Sequence, residues 1–124
     1  MIINEINADR ACHGARAVKV HPILMKLARQ RAADTRQGAE HCPNGVWPGT
    51  SMSRAGYRWR CEGENVAWEF QRNHPAEAVN SWKQSPGHRN NQRGRQFEHV
   101  GVGYAPGTYN GQQGWWVYAM FGSD

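Results

Sequence analysis

Three titratable residues stand at breaks in the sequence pattern: His41, Glu64 in "GEN" and His88 in "SPGHR". Two imidazoles and a carboxylate are suited to a divalent metal such as Zn2+. They are equally suited to general acid/base work, since histidine titrates near neutral pH and a glutamate can be tuned toward it. The intervals between them are 23 and 24 residues. No local motif such as H-E-x-x-H fixes them on one helix face. Only tertiary structure can bring them together.

The elements that must do so are partly readable. Residues 1–13 predict a first helix, with Ile2, Ile3, Ile6 and Ala11 on one apolar side. "GARAVKVH" reads as a linker. "HPILMKLARQRAADTRQG" predicts a second helix: Pro22 suits its first turn, Ile23, Leu24, Leu27 and Ala28 repeat at helical spacing, and Gly38 suits its stop. Gly, Pro and Ser then mark residues 43–56 as a long loop. "GENVAWEF" reads as a strand or a short helix. "NHPAEAVNSWKQ" predicts a helix with Asn73 or His74 as its cap. Ser85-Pro86-Gly87 ends that helix and leaves His88 at a corner.

"HVGVGYA" and "GWWVYAMFG" predict two strands joined by a hairpin loop, "PGTYNGQQ". In the second strand, alternation puts Trp115, Val117, Ala119 and Phe121 on one face and Trp116, Tyr118 and Met120 on the other. Both faces are apolar, which suits a sheet covered on both sides. Helices first and a terminal antiparallel hairpin last make an α+β pattern. Trp82 is expected in the core. Trp47 and Trp59, in the long loop, are expected to meet a ligand or partner. His99 is expected to be structural, and His13, His21 and His74 to lie on the surface.

A chain of 124 residues suits a single domain over 1–124 with a hydrophobic core of its own. The net charge of +5 favours anionic partners in general. Its arginines are scattered, however, and no specific nucleic-acid motif is present. Cys12, Cys42 and Cys61 have no C-x-x-C spacing, so a zinc-ribbon reading fails. Cys42 and Cys61 could pair across the loop, Cys12 could pair with either, or all could be free thiols. "MIINEINADR" lacks the cationic start and apolar run of a secretory leader. "WWVYAMF" is too short for a transmembrane segment.

Several motifs together, in order, resemble the CAP superfamily (cysteine-rich secretory, antigen 5 and pathogenesis-related proteins) in its bacterial SCP-like form. They are "INADRACHGARAVKVHPILMKLARQRAAD", His41, "GENVAW", "AVNSWKQSPGHRNN", "FEHVGVGYA" and "WWVYAMFG". The resemblance implies a three-layer α-β-α sandwich with a central antiparallel sheet and an open cleft. It implies an extracellular or cell-envelope location. It also implies a tetrad of two His and two Glu in the cleft. His41, Glu64 and His88 match three of these positions. Ser85 stands where the eukaryotic pattern has the second Glu, as is common in the bacterial branch, so one carboxylate is missing.

Three functions follow. The first is a binding module whose cleft takes a small-molecule (lipid), glycan or peptide ligand, with or without a divalent cation on His41 and His88. The second is a metal-assisted hydrolase of peptides or cell-wall polymers, with Glu64 as general base. The third is an interaction protein with a relict cleft. Glu64 is the only matched carboxylate, and Ser85 has no activating partner besides His88. The sequence therefore leans toward binding.

Overall fold

A computed structural model describes residues 2–35, 41–70 and 75–124. The elements in chain order are α1 (Ile2–Cys12), β1 (Lys19–Val20), α2 (Pro22–Asp34), α3 (Pro48–Arg54), β2 (Cys61–Glu69), α4 (Pro75–Lys83), α5 (Pro86–Arg93), β3 (His99–Tyr109) and β4 (Gln112–Ser123). The strands form one sheet in the order β1-β3-β4-β2. β3, β4 and β2 are antiparallel, and the two-residue β1 joins the β3 edge in parallel. β2 is therefore the opposite edge strand.

The alternation in β4 decides the layering. Val117, Ala119 and Phe121 face a layer holding Ile2, Ile6, Val79 and Trp82, from α1 and α4. Trp116, Tyr118 and Met120 face the other layer, with Leu24, Leu27, Ala28, Ala32 and Met52 from α2 and α3. The result is an α-β-α sandwich. Trp82 is fully buried, and its Nε1 donates to the Val66 carbonyl at 3.1 Å.

β3 meets α2 backbone to backbone. A β-carbon at Gly101 would lie 2.0 Å from the Leu24 carbonyl carbon, and one at Gly103 would lie 2.2 Å from the Arg29 nitrogen. No side chain fits there, so "GVG" brings the helix into direct contact with the strand.

Several local expectations are corrected. The hairpin loop is shorter than "PGTYNGQQ": the strands run on to Tyr109 and Gln112, leaving Asn110-Gly111 at the turn. Both have positive φ, 51° and 79°, which fits the tight turn that matches strand twist. The "GARAVKVH" linker contains β1. Residues 43–56 are not an unbroken loop. They hold a 3-10 turn at Pro43–Gly45 and helix α3, each started by a proline, with Met52 of α3 buried.

α2 ends at Asp34. Thr35 leaves the helical region, and its hydroxyl hydrogen-bonds the Arg31 carbonyl. The expected stop, Gly38, and the expected caps Asn73 and His74 lie outside the described residues.

In α1, Ala11 is exposed, while Asp9 and Arg10 are buried. Arg10 donates to the carbonyls of Arg16, Gln92, Gly94 and Phe97. Asp9 accepts from Gln92 and Arg93. These bonds tie α5 and the segment after it to α1, and α5 carries His88.

Candidate functional site

Glu64 lies in β2, and its strand neighbour Val66 belongs to the core on the α2 side. Strand alternation turns Glu64 to the same side. Arg31 meets it there. It follows Leu24, Leu27 and Ala28 on the inward stripe of α2, and it is 4% exposed. Its guanidinium grips both carboxylate oxygens, Nε to Oε2 at 2.5 Å and Nη2 to Oε1 at 3.2 Å. The same group donates to the backbone carbonyls of His41 at 2.7 Å and Val46 at 3.0 Å. Arg31 thus holds the carboxylate and also fixes the loop that presents His41.

The His41 Nδ1 lies 3.0 Å from Glu64 Oε1. An ionised carboxylate only accepts hydrogen bonds, so Nδ1 is the donor. Among the described residues the other ring nitrogen, Nε2, has no hydrogen-bond partner, and the His41 side chain is 44% exposed. Glu62 is two residues before Glu64, on the same strand face, and half-buried. Its pKa is raised, first by burial and then by the Glu64 charge, with Arg31 and His41 opposing. Among the described residues its carboxylate makes no hydrogen bond or ion pair.

His88 arrives from the other layer. It lies in the first turn of α5 rather than at an open corner, because Pro86 starts a new helix directly after α4. Ser85 occupies the N-cap position of α5 without a side-chain cap bond. Asparagines tie this turn to β2. Asn65 Nδ2 donates to the His88 carbonyl at 2.9 Å, and Asn91 Nδ2 donates to the Glu64 carbonyl at 3.2 Å and to Asn65 Oδ1 at 3.1 Å. The His88 imidazole is half-buried. Its pKa is lowered by burial and then by His41, so the two rings sense each other's charge.

The structure therefore joins His41 to Glu64 directly and brings His88 into their electrostatic reach. These three do not form a close ligand set. Among the described residues, the group with three ligand atoms within 4.8 Å of one another is His21, His99 and Asp124.

Two residues of the site escaped the sequence reading. Arg31 had a signal: an arginine on the apolar stripe of a helix needs a buried partner. Glu62 had a weaker one, the two-residue strand period that pairs it with Glu64.

A groove of about 350 Å³ runs between α2 and α3, with Arg31, Asp34, Val46 and Ser51 in its wall. Trp47 is 63% exposed beside it in sequence. Trp59 is 39% exposed and is anchored: its Nε1 donates to the Gly49 carbonyl at 2.9 Å and its ring lies on Gly49. Cys12 and Cys61 are free thiols, so none of the disulfide pairings open to the sequence is formed.

The sequence profile of the cysteine-rich secretory protein (CAP) family matches residues 3–121. The chain belongs to this family. The CAP domain is 31% identical over 106 residues to the uncharacterized protein YkwD of Bacillus subtilis, covering 83% of this chain and 40% of that protein. Its fold is similar to that of an extracellular protein containing a SCP domain from Bacillus anthracis. There the TM-score is 0.80 at 21% identity, over 99% of this chain and 39% of the other. It is also similar to an outer surface protein of Borrelia burgdorferi, with TM-score 0.75 at 16% identity over 98% of this chain and 89% of that one. The CAP domain thus spans about two-fifths of the length of the two Bacillus proteins. At these identities the solved structures speak for the fold alone. Among the described residues, no helix is long and apolar enough to cross a membrane.

Proposed function

We propose that this CAP domain is an extracellular binding module whose cleft is built on His41, Glu62, Glu64 and His88. Its ligand is a lipid, a glycan or a peptide. One observation carries the preference for binding over hydrolysis: both oxygens of Glu64 are committed to Arg31, and one also accepts from His41. A carboxylate so engaged, with its side chain only 1% exposed, is turned away from any water in the cleft, which a general base must contact. Its role is to fix His41 and to set the polarity of the cleft wall. The extracellular location rests on the family and on the extracellular and surface proteins that share the fold.

A divalent cation fits this donor set in part. With Nδ1 bonded to Glu64, His41 has Nε2 free, the arrangement by which a carboxylate orients a ligating histidine. His41 and His88 would hold Zn2+ or a similar ion, with Glu62 as the uncommitted carboxylate. Such an ion would supply polarisation of a ligand oxygen.

A second reading, metal-assisted hydrolysis of peptide or cell-wall polymer, is favoured by one feature. Glu62 and Glu64 share a strand face, yet their surroundings differ, and Glu62 has the raised pKa suited to proton transfer. The proton-transfer role then moves from Glu64 to Glu62.

Amide chemical shifts under titration with lipid vesicles, soluble cell-wall glycopeptides and a peptide pool test the proposal. Binding should perturb residues 41, 62 and 88 without consuming the ligand, and His41→Ala should remove it. Perturbations confined elsewhere would sink the cleft assignment. Ligand cleavage that disappears in Glu62→Gln would replace binding by hydrolysis.

A further inference from the structure

We propose that His21, His99 and Asp124 form a second divalent transition-metal site of the zinc class, separate from the His41–His88 cleft. The sheet itself assembles the three side chains. His99 opens β3, and its partners are Lys19 on β1 and Gly122 on β4. His21 lies two residues beyond Lys19, and Asp124 two residues beyond Gly122. The two-residue period places all three on one face. The His21 amide keeps this register by donating to the Val100 carbonyl at 3.0 Å. One ligand atom from each residue lies within 4.8 Å of the other two. A tetrahedral zinc with bonds of about 2.0–2.1 Å holds its ligand atoms about 3.4 Å apart. Small side-chain rotations close that difference. Asp124 is exposed and free to make them, while both imidazoles are half-buried and already in edge contact, with ring centroids 4.9 Å apart.

Tyr57 supplies the support that a ligating histidine needs. Its hydroxyl lies 2.9 Å from His99 Nδ1, and a β-carbon at position 122 would lie 2.7 Å from that same hydroxyl. Gly122 therefore leaves the space in which Tyr57 reaches His99. With Nδ1 donating to the phenol oxygen, His99 offers Nε2 to a metal. Two nitrogens and one carboxylate oxygen select zinc, copper or nickel over magnesium or calcium, and they leave a fourth position open.

Neighbouring charges define the limits of the site. Arg60 donates to the Asp124 backbone carbonyl at 2.9 Å and lies 3.7 Å from Glu98, which also faces Arg16 at 3.4 Å. Arg60 adds positive charge near the site, and Glu98 offsets it. His21 Nδ1 accepts the Ile23 amide at 3.2 Å as the N-cap of α2. A metal on Nε2 puts the ring proton on Nδ1, and a metal on Nδ1 displaces the amide. Either mode breaks the cap bond, so metal binding has a signature at Ile23.

The test is zinc chloride titration by calorimetry near neutral pH, with amide spectra recorded alongside. The proteins are the wild type, His41→Ala/His88→Ala, His21→Asn, His99→Gln and Asp124→Asn. Asparagine keeps a good helix cap, and Asp124 is exposed, so folding is preserved in at least these two. The proposal expects the cleft double variant to retain one zinc equivalent at about micromolar affinity. It expects His21→Asn, His99→Gln and Asp124→Asn each to weaken that equivalent tenfold or more. The Ile23 amide should shift in the wild type and in the cleft variant. Loss of all zinc binding in the cleft variant would overturn the second site and leave the cleft metal standing. Zinc stoichiometry unchanged in that variant would count against the cleft metal alone. Wild-type affinity in both His21→Asn and His99→Gln would end the proposal directly.

Discussion

The two histidine regions of this sheet are built on opposite terms. At the β2 edge, the carboxylate is buried and gripped by an arginine, and the imidazole beside it is the exposed partner. At the far end of β3, the imidazoles are half-buried and the carboxylate of Asp124 is the exposed one. The first arrangement fixes charge and orients a ring. The second fixes rings and leaves a charge free to swing. A carboxylate held by arginine acts through its neighbours, whereas a free one can act for itself.

The sharpest way to break this contrast is to remove the arginine. Arg31→Ala leaves Glu64 charged and buried, and should cost about 3–5 kcal/mol in denaturant unfolding. An unchanged midpoint would mean that the pair is not buried in solution. Trp82→Ala should cost a similar ~3–5 kcal/mol through loss of core volume and of the Val66 bond. If it destabilises the chain less than Arg31→Ala does, the ion pair under α2 outweighs packing in the opposite, α4 layer.

Truncating the cleft histidines should do far less to stability. His41→Ala and His88→Ala are expected to cost at most about 1 kcal/mol, because His41 is half in water and its pairing is screened. Both should nonetheless abolish ligand or metal binding at the cleft, as read by calorimetry.

The effect of pH should be smaller and shared by both regions. Burial, and then His41, lowers the pKa of His88. Burial, and then His99, lowers that of His21, with Asp124 opposing. Unfolding restores the ordinary value of 6.5. Below that value the unfolded chain binds protons that the folded chain refuses, so stability falls with falling pH until the folded pKa values are passed. Glu62 has the opposite sign: its raised pKa adds stability at low pH, lost as pH rises through the folded value. Unfolding midpoints at pH 7.5 and 5.5 should therefore drop on acidification in the wild type. His88→Gln should flatten that drop, and Glu62→Gln should steepen it. A wild-type midpoint that rises on acidification would contradict the histidine shifts. Asp124→Asn, at the exposed end, is expected to stay within about 0.5 kcal/mol of wild type without metal.

Much of the architecture is legible in the sequence because periodicity reports burial. The two apolar faces of β4 require a covering layer on each side, and α1/α4 and α2/α3 provide them. Trp82 sits where its helical pattern puts it. The Glu64–His41 contact is not readable, since 23 residues of intervening chain carry no distance information. Arg31 passes for one of many scattered charges, because composition weighs charge without asking which helix face bears it. α3 is hidden by a Gly/Pro/Ser-rich segment, whose prolines mark helix starts as readily as loops. His21 has no motif to lift it from the surface histidines. Its position is set by β1, a strand of two residues that no periodic pattern can reveal.

The missing β-carbons at Gly101 and Gly103 reach further than packing. They set the height at which α2 rides over the sheet, and a rigid helix passes that height along its length. Arg31 sits two turns beyond Leu24, where Gly101 makes its contact. A methyl group at either glycine would raise the helix and draw the guanidinium away from Glu64. The loop carbonyl at His41, held by the same guanidinium, would follow. Two residues with no polar side-chain atom therefore calibrate a charge and the ring it orients, and ligand affinity at the cleft would register a change made inside the opposite half of the sheet.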